Sequence, residues 1–391
     1  MFKLFIHPKI YTLDPVKPIA KWFLTLDKKI ILTGFNEPIP DLGIEIEECR
    51  LPGEIVVPGF IDAHCHFGRY LRYSINSLSP NEKIKLRLPS HLMHWLDLSS
   101  IKSAAQLLEK IREKSYILSP GTWIVGGGWS GLDRIPEMEE LNLASPQNPL
   151  FLFEISLHSG IGNSLALKIA GIDENTWSPA GGRIGRCKLT GELTGILYEK
   201  AVNLVDNVIP EKLSNYAMEN LAILAMKKLN SLGIVGLHDM EHTTKYDIYP
   251  CLAQLLAKSP ELFTIRFITS LLPENIQENL KCGRISNFGN DYLKTFALKL
   301  IYDGSLGAKT ALMNNPYIID DKLSNYYGEE LTPRGEMLAI AREASLRGIP
   351  LAIHAIGDQA VRIVTELFEE ISESNKCKFP KIGRASCRER V

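Results

Sequence analysis

The chain has 391 residues, 45% of them hydrophobic and 23% charged, which excludes a disordered segment and allows a globular protein with more than one domain. Its formal net charge is −1, from 44 Lys and Arg against 45 Asp and Glu, so no bulk charge favours nucleic acid or an anionic membrane. A small-molecule partner fits this balance better, and a homo-oligomer is compatible with it.

No targeting or membrane-spanning segment is predicted. The apolar run at the N-terminus is too short for a signal sequence, and no later stretch is long enough to span a bilayer. The seven cysteines lack Cys-x-x-Cys spacing, which indicates free thiols in a reducing compartment. We therefore expect a cytoplasmic protein.

Short β-prone runs separated by Pro, Asp and Gly turns predict a small β domain over residues 1–55. The next strand, predicted over Glu54–Asp62, leads into a His-x-His pair formed by His64 and His66. Because strand side chains alternate between faces, both imidazoles can reach one metal ion. Such a pair alone is more often two solvated histidines, but its place after a strand and a Pro-Gly break favours a metal site.

Residues 67–232 lack a regular alternation of strands and helices. Apolar periodicity predicts helices over Ile101–Tyr116 and Glu211–Leu232, and a hairpin over Leu189–Tyr198 that turns near Gly191. Since the connections of a barrel are normally short, we expect this segment to be an inserted subdomain.

After Gly233, apolar strand-like runs alternate regularly with helical or mixed segments. Continuously apolar strands are typical of a parallel sheet that is buried on both faces. Residues 56–66 and 233–381 are therefore predicted to form an α/β fold, a partial TIM-type (β/α) barrel with about five of its eight strands. The four later runs are Ile234–Asp239, Thr264–Ser270, Ala297–Asp303 and Pro350–His354.

Polar residues lie at the C-terminal ends of these predicted strands, which converge on one mouth in a barrel. Besides the His-x-His pair, they include His238, Lys299 and His354. A lysine ammonium cannot bind a cation, but a lysine carboxylated by CO2 is an anionic carbamate whose two oxygens can bridge two ions. Each residue also has a plainer interpretation, since Lys299 can pair with Asp303 and an isolated histidine is more often structural.

Seven segments that run along the chain up to Lys381 form a combined signature. They are Val57–His66, Trp123–Trp129, Leu157–His158 with Asn163–Leu167, Gly181–Ile184, Thr194–Glu199, Lys299–Gly307 and His354–Asp358. In this order they resemble the metal-dependent amidohydrolase superfamily and, within it, the YtcJ-like group that includes N-substituted formamide deformylase. Coverage of this extent is stronger than any single motif.

The resemblance implies metal-dependent hydrolysis of non-peptide carbon–nitrogen bonds, with amides or formamides as substrates. It implies that His64 and His66 bind a divalent ion, expected to be zinc. Lys299, as a CO2-derived carbamate, would bridge to a second ion if there are two, and His354 would bind that ion. The metal would activate the attacking water and polarise the scissile carbonyl.

The resemblance also implies that His158 and His238 lie near the substrate. An alternative is a non-catalytic amidohydrolase-like binding or assembly protein, although the four predicted metal ligands together argue against it. A phosphoesterase, which can also use His-x-His on a barrel, is disfavoured by the small β domain and by the lysine on the fourth strand.

The family pattern further implies a metal-binding histidine on a sixth strand and a general acid–base Asp on an eighth. Both are expected beyond Lys381, so we expect the natural chain to continue there and this chain to be an inactive, aggregation-prone fragment. Residues 382–391 have the pattern of a translated sequencing adapter and are predicted to be an artefact.

Overall fold

The computed structural model describes residues 1–375 apart from 40, 42, 44, 76, 77, 211, 212, 242–246, 282, 284, 320, 321 and 324. The artefact predicted at 382–391 lies outside the described residues. The chain divides into two compact units, Met1–Ile61 with Gly233–Val235, and Asp62–Leu232 with the chain from Gly236 onward. The domain bounds suggested by the sequence stay predictions.

The described chain contains strands and helices of very different lengths. The strands are β1 (Phe2–Tyr11), β2 (Ile19–Leu26), β3 (Lys29–Gly34), β4 (Glu47–Arg50), β5 (Phe60–Cys65), β6 (Leu96–Asp97), β7 (Ile124–Trp129), β8 (Leu150–Glu154), β9 (Ser159–Gly162), β10 (Gly182–Arg186), β11 (Leu193–Glu199), β12 (Ile234–Asp239), β13 (Arg266–Leu271), β14 (Leu293–Ile301), β15 (Ile318–Ile319), β16 (Lys322–Leu323) and β17 (Leu351–His354). The helices are α1 (Phe67–Ser74), α2 (Pro80–Lys85), α3 (Ser90–Met93), α4 (Ala104–Ile117), α5 (Met138–Ala144), α6 (Ser164–Ile169), α7 (Val202–Asp206), α8 (Asn215–Asn230), α9 (Tyr249–Lys258), α10 (Ile276–Lys281), α11 (Arg334–Leu346) and α12 (Asp358–Asn375). Within the described chain, the structure contains no helix with the length and apolarity that a bilayer crossing requires.

The N-terminal residues form a four-stranded sheet in the order β3-β2-β1-β4. β1 pairs antiparallel with β2 and parallel with β4, and its register shifts between Ile6 and Ile10. This irregularity lets one strand pass through Pro8, which has no N–H for a regular ladder. Leu4, Trp22 and Leu24 form the buried core of this sheet.

The segment between β5 and β12 contains a six-stranded mixed sheet in the order β10-β11-β9-β8-β7-β6. Its core is formed with α4 and α5, whose Leu107, Ile111 and Leu141 are fully buried. The predicted hairpin is present near Gly191, but its strands are β10 and β11. The first strand ends at Arg186 because the residues that follow form the turn, in which Leu189 is 95% exposed.

Both helices predicted in this segment are present with shifted bounds. The prediction over Ile101–Tyr116 corresponds to α4, and the prediction over Glu211–Leu232 corresponds to α8, while residues 211 and 212 lie outside the described chain. Each helix begins after a serine whose hydroxyl accepts a backbone hydrogen bond, Ser103 from Gln106 and Ser214 from Ala217. These caps set the helix starts, which apolar periodicity alone does not define.

The predicted α/β fold with a partial parallel barrel is confirmed. Five strands form one sheet in the order β17-β14-β13-β12-β5, and β12, β13, β14 and β17 pair in parallel. Leu298, Leu300 and Tyr302 pack with α11 and α12 in the buried core. Because strand side chains alternate, the opposite face of β14 carries Lys299 and Ile301.

The strand predicted over Glu54–Asp62 is displaced in the structure, where β5 spans Phe60–Cys65. Val56 makes only an isolated bridge to Ile10. Pro58 cannot donate a ladder hydrogen bond, so the regular strand starts after the Pro-Gly break. His64 therefore lies on the strand itself and not beyond its end, as the sequence had predicted.

Candidate metal and substrate site

The His-x-His pair lies at the C-terminal end of β5. The ring centroids of His64 and His66 are 5.5 Å apart with a tilt of 59°. The Asp62 carboxylate accepts a hydrogen bond from the backbone N–H of His64 at 3.0 Å, which fixes the chain at this point. Since a zinc–nitrogen bond is about 2.0–2.1 Å long, the ring separation leaves room for one ion between the two imidazoles.

Lys299 and His354 share one face of the neighbouring strands. Lys299 lies on β14 and is 3% exposed, and Ile301, two residues later, is in register with His354 on β17. Paired residues of adjacent strands point to the same face, and so do residues two apart on one strand. The structure therefore places the predicted lysine and histidine diagonally across two parallel strands.

Burial keeps two of these imidazoles neutral. Desolvation, followed by the positive charges of Lys299 and His66, lowers the pKa of His64 to about 4. Desolvation, followed by His158 and with a smaller effect of Lys299, lowers the pKa of His354 to about 3. A histidine must be neutral to bind a metal, so at pH 7 both rings are in the ligand form.

Two of the predicted ligands have one ring nitrogen next to an acceptor. Nδ1 of His66 lies 3.7 Å from Oε2 of buried Glu241, which is beyond hydrogen-bond distance, and the same carboxylate accepts a hydrogen bond from Nε of Arg69 at 3.1 Å. Nε2 of His354 lies 3.1 Å from the carbonyl oxygen of Gly304. Metal-binding histidines commonly have their second nitrogen held by a hydrogen bond such as the one between His354 and Gly304, which orients the ring.

Among the described residues, no group of three or more His, Cys, Asp or Glu side chains is arranged to hold a metal ion. The predicted set consists of three histidines and Lys299, and an ammonium cannot act as a ligand. As a carbamate, the same lysine would supply anionic oxygen and complete a four-donor set of the kind zinc binds. The donor chemistry therefore fits a divalent ion provided that Lys299 is carbamylated.

His158 approaches the predicted ligands from the six-stranded sheet. It directly precedes β9, and its carbonyl accepts a hydrogen bond from the backbone N–H of Glu199 at the end of β11, at 2.7 Å. Its Nδ1 lies 2.7 Å from Oε2 of Glu199. The ring centroids of His158 and His354 are 5.4 Å apart, so the structure brings a predicted substrate residue beside a predicted ligand.

His238 lies on β12 in register with Ile268. Burial lowers its pKa, and the negative charge of Asp62 opposes this effect, so the two side chains are electrostatically coupled. The next residue, Asp239, is buried and accepts the backbone N–H of Phe67 at 2.9 Å. Burial, reinforced by Glu241, raises the pKa of Asp239 to about 8, and its hydrogen bond anchors the chain that follows His66.

The amidohydrolase family model matches residues 50–385. The chain belongs to the amidohydrolase family. YtcJ of Bacillus subtilis (strain 168) is 29% identical to it over 345 residues, which cover 87% of this chain and 59% of YtcJ. N-substituted formamide deformylase of Arthrobacter pascens is 26% identical over 393 residues, which cover 94% of this chain and 66% of the deformylase. The resemblance inferred from the seven segments is confirmed.

The fold of this amidohydrolase matches that of a crystal structure from Pyrococcus horikoshii described as a metal-dependent hydrolase. The two superpose with a TM-score of 0.63 at 24% sequence identity, over 95% of this chain and 68% of the other. The half-barrel and the N-terminal sheet are thus each part of an amidohydrolase fold. The chain spans only about three fifths to two thirds of the length of the two curated relatives.

Four residues around this amidohydrolase site received no role in the sequence analysis. They are Arg69, Glu199, Glu241 and Thr310. An acidic residue at the end of an apolar strand or just after it is the sequence signal that both glutamates carry, and in the structure their side chains are only 4% and 2% exposed. The partners of these glutamates are distant in sequence, and His158 is 41 residues from Glu199. Only the fold therefore identifies the contacts.

Proposed function

We propose that this amidohydrolase hydrolyses non-peptide carbon–nitrogen bonds in amides or formamides with the help of one or two divalent metal ions. Zinc is the expected metal, because imidazole and carbamate oxygen suit it. The residues that would hold the metal are His64, His66, Lys299 and His354. The name of the deformylase relative supports the substrate class.

The observation that carries the proposal is a buried lysine beside neutral imidazoles. Lys299 is 3% exposed, and its positive charge contributes to the lowered pKa of His64 and His354. An ammonium cation at this position would repel a metal ion. Reaction of the neutral Nζ with CO2 forms an N–C bond and releases one proton, which replaces the cation with a carbamate anion and reverses the electrostatics.

A bound divalent ion would lower the pKa of a water ligand from 15.7 to roughly 7 and polarise a carbonyl oxygen. The chain's own contribution is to hold imidazoles in place. The neutral ring of His354 is oriented by the carbonyl of Gly304, and His66 lies beside Glu241. We assign His158 and His238 to substrate contact.

We further propose a cytoplasmic location and the domain division into residues 1–55, the barrel segments 56–66 and 233–381, and the insertion 67–232. Free thiols at Cys49, Cys65, Cys187 and Cys251 support a reducing compartment.

Metal retention tests the site. The chain is loaded with Zn²⁺ in the presence of bicarbonate and dialysed, and bound metal is measured by mass spectrometry. We expect bound zinc in the unmodified chain and in the control His94→Ala, and its loss in His64→Ala and Lys299→Met. Retention of zinc in both ligand variants would refute the proposed ligand set.

Amine release from a panel of N-formyl amines then tests the reaction. Since this chain is expected from its sequence to be inactive, the assay is run on the longer natural protein, in which release should depend on zinc and disappear in Lys299→Met. Zinc binding without release of amine from any member of the panel would contradict hydrolysis by that protein and favour the alternative, a non-catalytic binding or assembly protein.

A further inference from the structure

The segment Gly181–Ile184 is part of the seven-segment signature, but the proposed site gives it no role. Arg183 lies on β10 and is in register with Tyr198 on β11. The centre of its guanidinium lies 3.9 Å from the centroid of the Tyr198 ring, which is within the range of a cation–π contact. The hairpin therefore carries a cationic group stacked over an aromatic ring.

The same guanidinium contacts residues Tyr326–Leu331 of the loop after β14, which we call the return segment. Nε of Arg183 donates to Oε1 of Glu329 at 3.1 Å, and the hydroxyl of Tyr326 donates to the same oxygen at 2.9 Å. The centroid of the Tyr326 ring lies 5.6 Å from the guanidinium centre. Arg183 is thus stacked on the hairpin and bonded to the return segment at once.

Gly181 makes a second close contact with the return segment. It has φ = 71°, in the left-handed region that favours glycine, and a Cβ atom there would lie 2.6 Å from the carbonyl oxygen of Leu331. The same carbonyl accepts from Nζ of Lys200 at 3.4 Å. The hairpin can approach the return segment this closely because residue 181 has no side chain.

On its other side, the return segment pairs with the residues that directly follow β14. The backbone N–H of Leu331 donates to the carbonyl of Tyr302 at 2.8 Å. Glu330 and Asp303 form an isolated antiparallel bridge next to this bond. The return segment is therefore a brace between the hairpin and the first part of the loop.

The braced part of the loop contacts the chain around a predicted metal ligand. The carbonyl of Gly304 lies 3.1 Å from Nε2 of His354, and the Asp303 carboxylate accepts the backbone N–H groups of Ile356 and Gly357. These contacts require the loop to stay in its place beside β17. A group that holds the return segment therefore bears on the orientation of His354.

We propose that Gly181 and Arg183 form a latch, a contact that must break before the loop after β14 can move away from the hairpin. Arg183 is in this view a positioning residue that acts through Glu329 on the orientation of His354. Arginine suits the role because its planar guanidinium can stack on a ring and donate to a carboxylate at the same time. The step from the loop to a bound metal rests on the proposed function.

Hydrogen exchange of the full chain, measured by mass spectrometry, tests the latch without metal. The amide of Glu329 donates to the carbonyl of Thr310 at 2.9 Å, so peptides that cover the return segment report its opening. Arg183→Met removes both the stack and the ion pair, and we expect about tenfold faster exchange there, or more, when local opening controls exchange. Arg183→Lys, which keeps a charge for Glu329 but has no planar group to stack, should lie between.

The matched control is Arg186→Met on the same strand. Among the described residues, the hydrogen bonds of Arg186 go to other parts of the insertion, at Asp173, Glu174, Thr176 and Gly191. Exchange in the return segment should not change in this control. An equal rise in the control, or unchanged exchange in the Arg183 variants, would overturn the latch. If Arg183→Met does not fold, Arg183→Lys decides the same question.

A double-mutant cycle tests the route through Glu329. Glu329→Met and Arg183→Met should each accelerate exchange at Ile356 and Gly357, whose amides are bonded to Asp303. If Arg183 acts through Glu329, the double variant should add little to the larger single effect. Additive effects would refute this route. Equally faster exchange in helix α4 would show a general loss of stability and contradict a positioning role.

Zinc release measures the effect at the site itself. After loading with Zn²⁺ and bicarbonate, transfer of zinc to a chelator should quicken in Arg183→Met by about the same factor as exchange at Ile356 and Gly357, because the same loop holds His354. Arg186→Met should release zinc as the unmodified chain does. Faster exchange with unchanged release would overturn the positioning role. An unmodified chain that binds no zinc would instead refute the proposed function and leave the exchange results standing.

Discussion

The loop after β14 is held by a buried carboxylate whose removal should have a measurable cost. Asp303 is fully buried and accepts three backbone N–H groups, from Leu312 at 2.9 Å, Ile356 at 2.9 Å and Gly357 at 2.8 Å. These bonds tie two loops together directly after His354. Asp303 therefore fixes the chain that follows a predicted metal ligand.

We expect Asp303→Asn to destabilise this region by about 2 kcal/mol. Oδ2 receives the N–H groups of Leu312 and Gly357, and Oδ1 receives that of Ile356. The amide oxygen can occupy only one of these places, so at best one buried N–H loses its acceptor, at a cost of about 1–3 kcal/mol. Burial raises the pKa of Asp303, although its three backbone hydrogen bonds lower it. Because burial disfavours the charged carboxylate, the neutral Asn side chain regains part of the lost stability.

Hydrogen exchange measured by mass spectrometry reports this change locally. A loss of about 2 kcal/mol corresponds to about 30-fold faster exchange of the amides of Ile356 and Gly357, if local opening controls exchange. The matched control is Asp358→Asn, because the exposed Asp358 carboxylate also accepts backbone hydrogen bonds, from Asn314 and Gln359, at 2.8 Å each. Unchanged exchange in Asp303→Asn, or an equal effect in the control, would refute the reasoning.

Three further predictions concern stability and association. The folded pKa of His354, about 3, lies below its ordinary 6.5, so the unfolded chain binds more protons below pH 6.5. The free energy of unfolding measured with urea should therefore fall as pH drops from 6.5 towards 3, by up to about 1.4 kcal/mol per pH unit from this ring, and His354→Gln should flatten the trend. Ile61, 66% exposed on the edge strand β5, favours strand pairing between chains; light scattering should show less association for Ile61→Lys than for Leu143→Lys on helix α5. Gly357→Ala should lower the thermal midpoint, because the added Cβ would overlap the backbone carbonyl of Leu312.

The barrel strands are predictable where they are continuously apolar. The bounds predicted for Ile234–Asp239 are those of β12, because both faces of this strand are largely buried. The strand predicted over Ala297–Asp303 instead starts earlier, at Leu293. Thr295 interrupts the apolar run in the sequence, but in the fold it is fully buried and its hydroxyl donates to a backbone carbonyl. A buried polar residue whose hydrogen-bond partner lies outside the strand, as Ile285 does for Thr295, looks like a strand end in the sequence.

Some residues of the site can likewise be recognised from the local sequence, and others only from contacts between distant parts of the chain. His64 and His66 are recognisable because strand geometry alone puts two side chains with even spacing on one face. Glu199 and Thr310 have no such local pattern. They are 111 residues apart and meet only when the six-stranded sheet and the loop after β14 are both formed. Their roles therefore follow from contacts that no short window of sequence contains.

The loop after β14 links the two halves of the site physically. Asp303 anchors the chain after His354, the carbonyl of the next residue contacts the ring of His354, and Thr310 holds the carboxylate that contacts His158. A displacement of this loop must therefore change the orientation of a predicted ligand and of a predicted substrate residue together. The contact between His66 and Glu241 involves no residue of that loop. Substitutions that displace the loop should consequently lower zinc retention and change the position of His158 together, whereas substitution of Glu241 should weaken zinc retention and leave His158 in place.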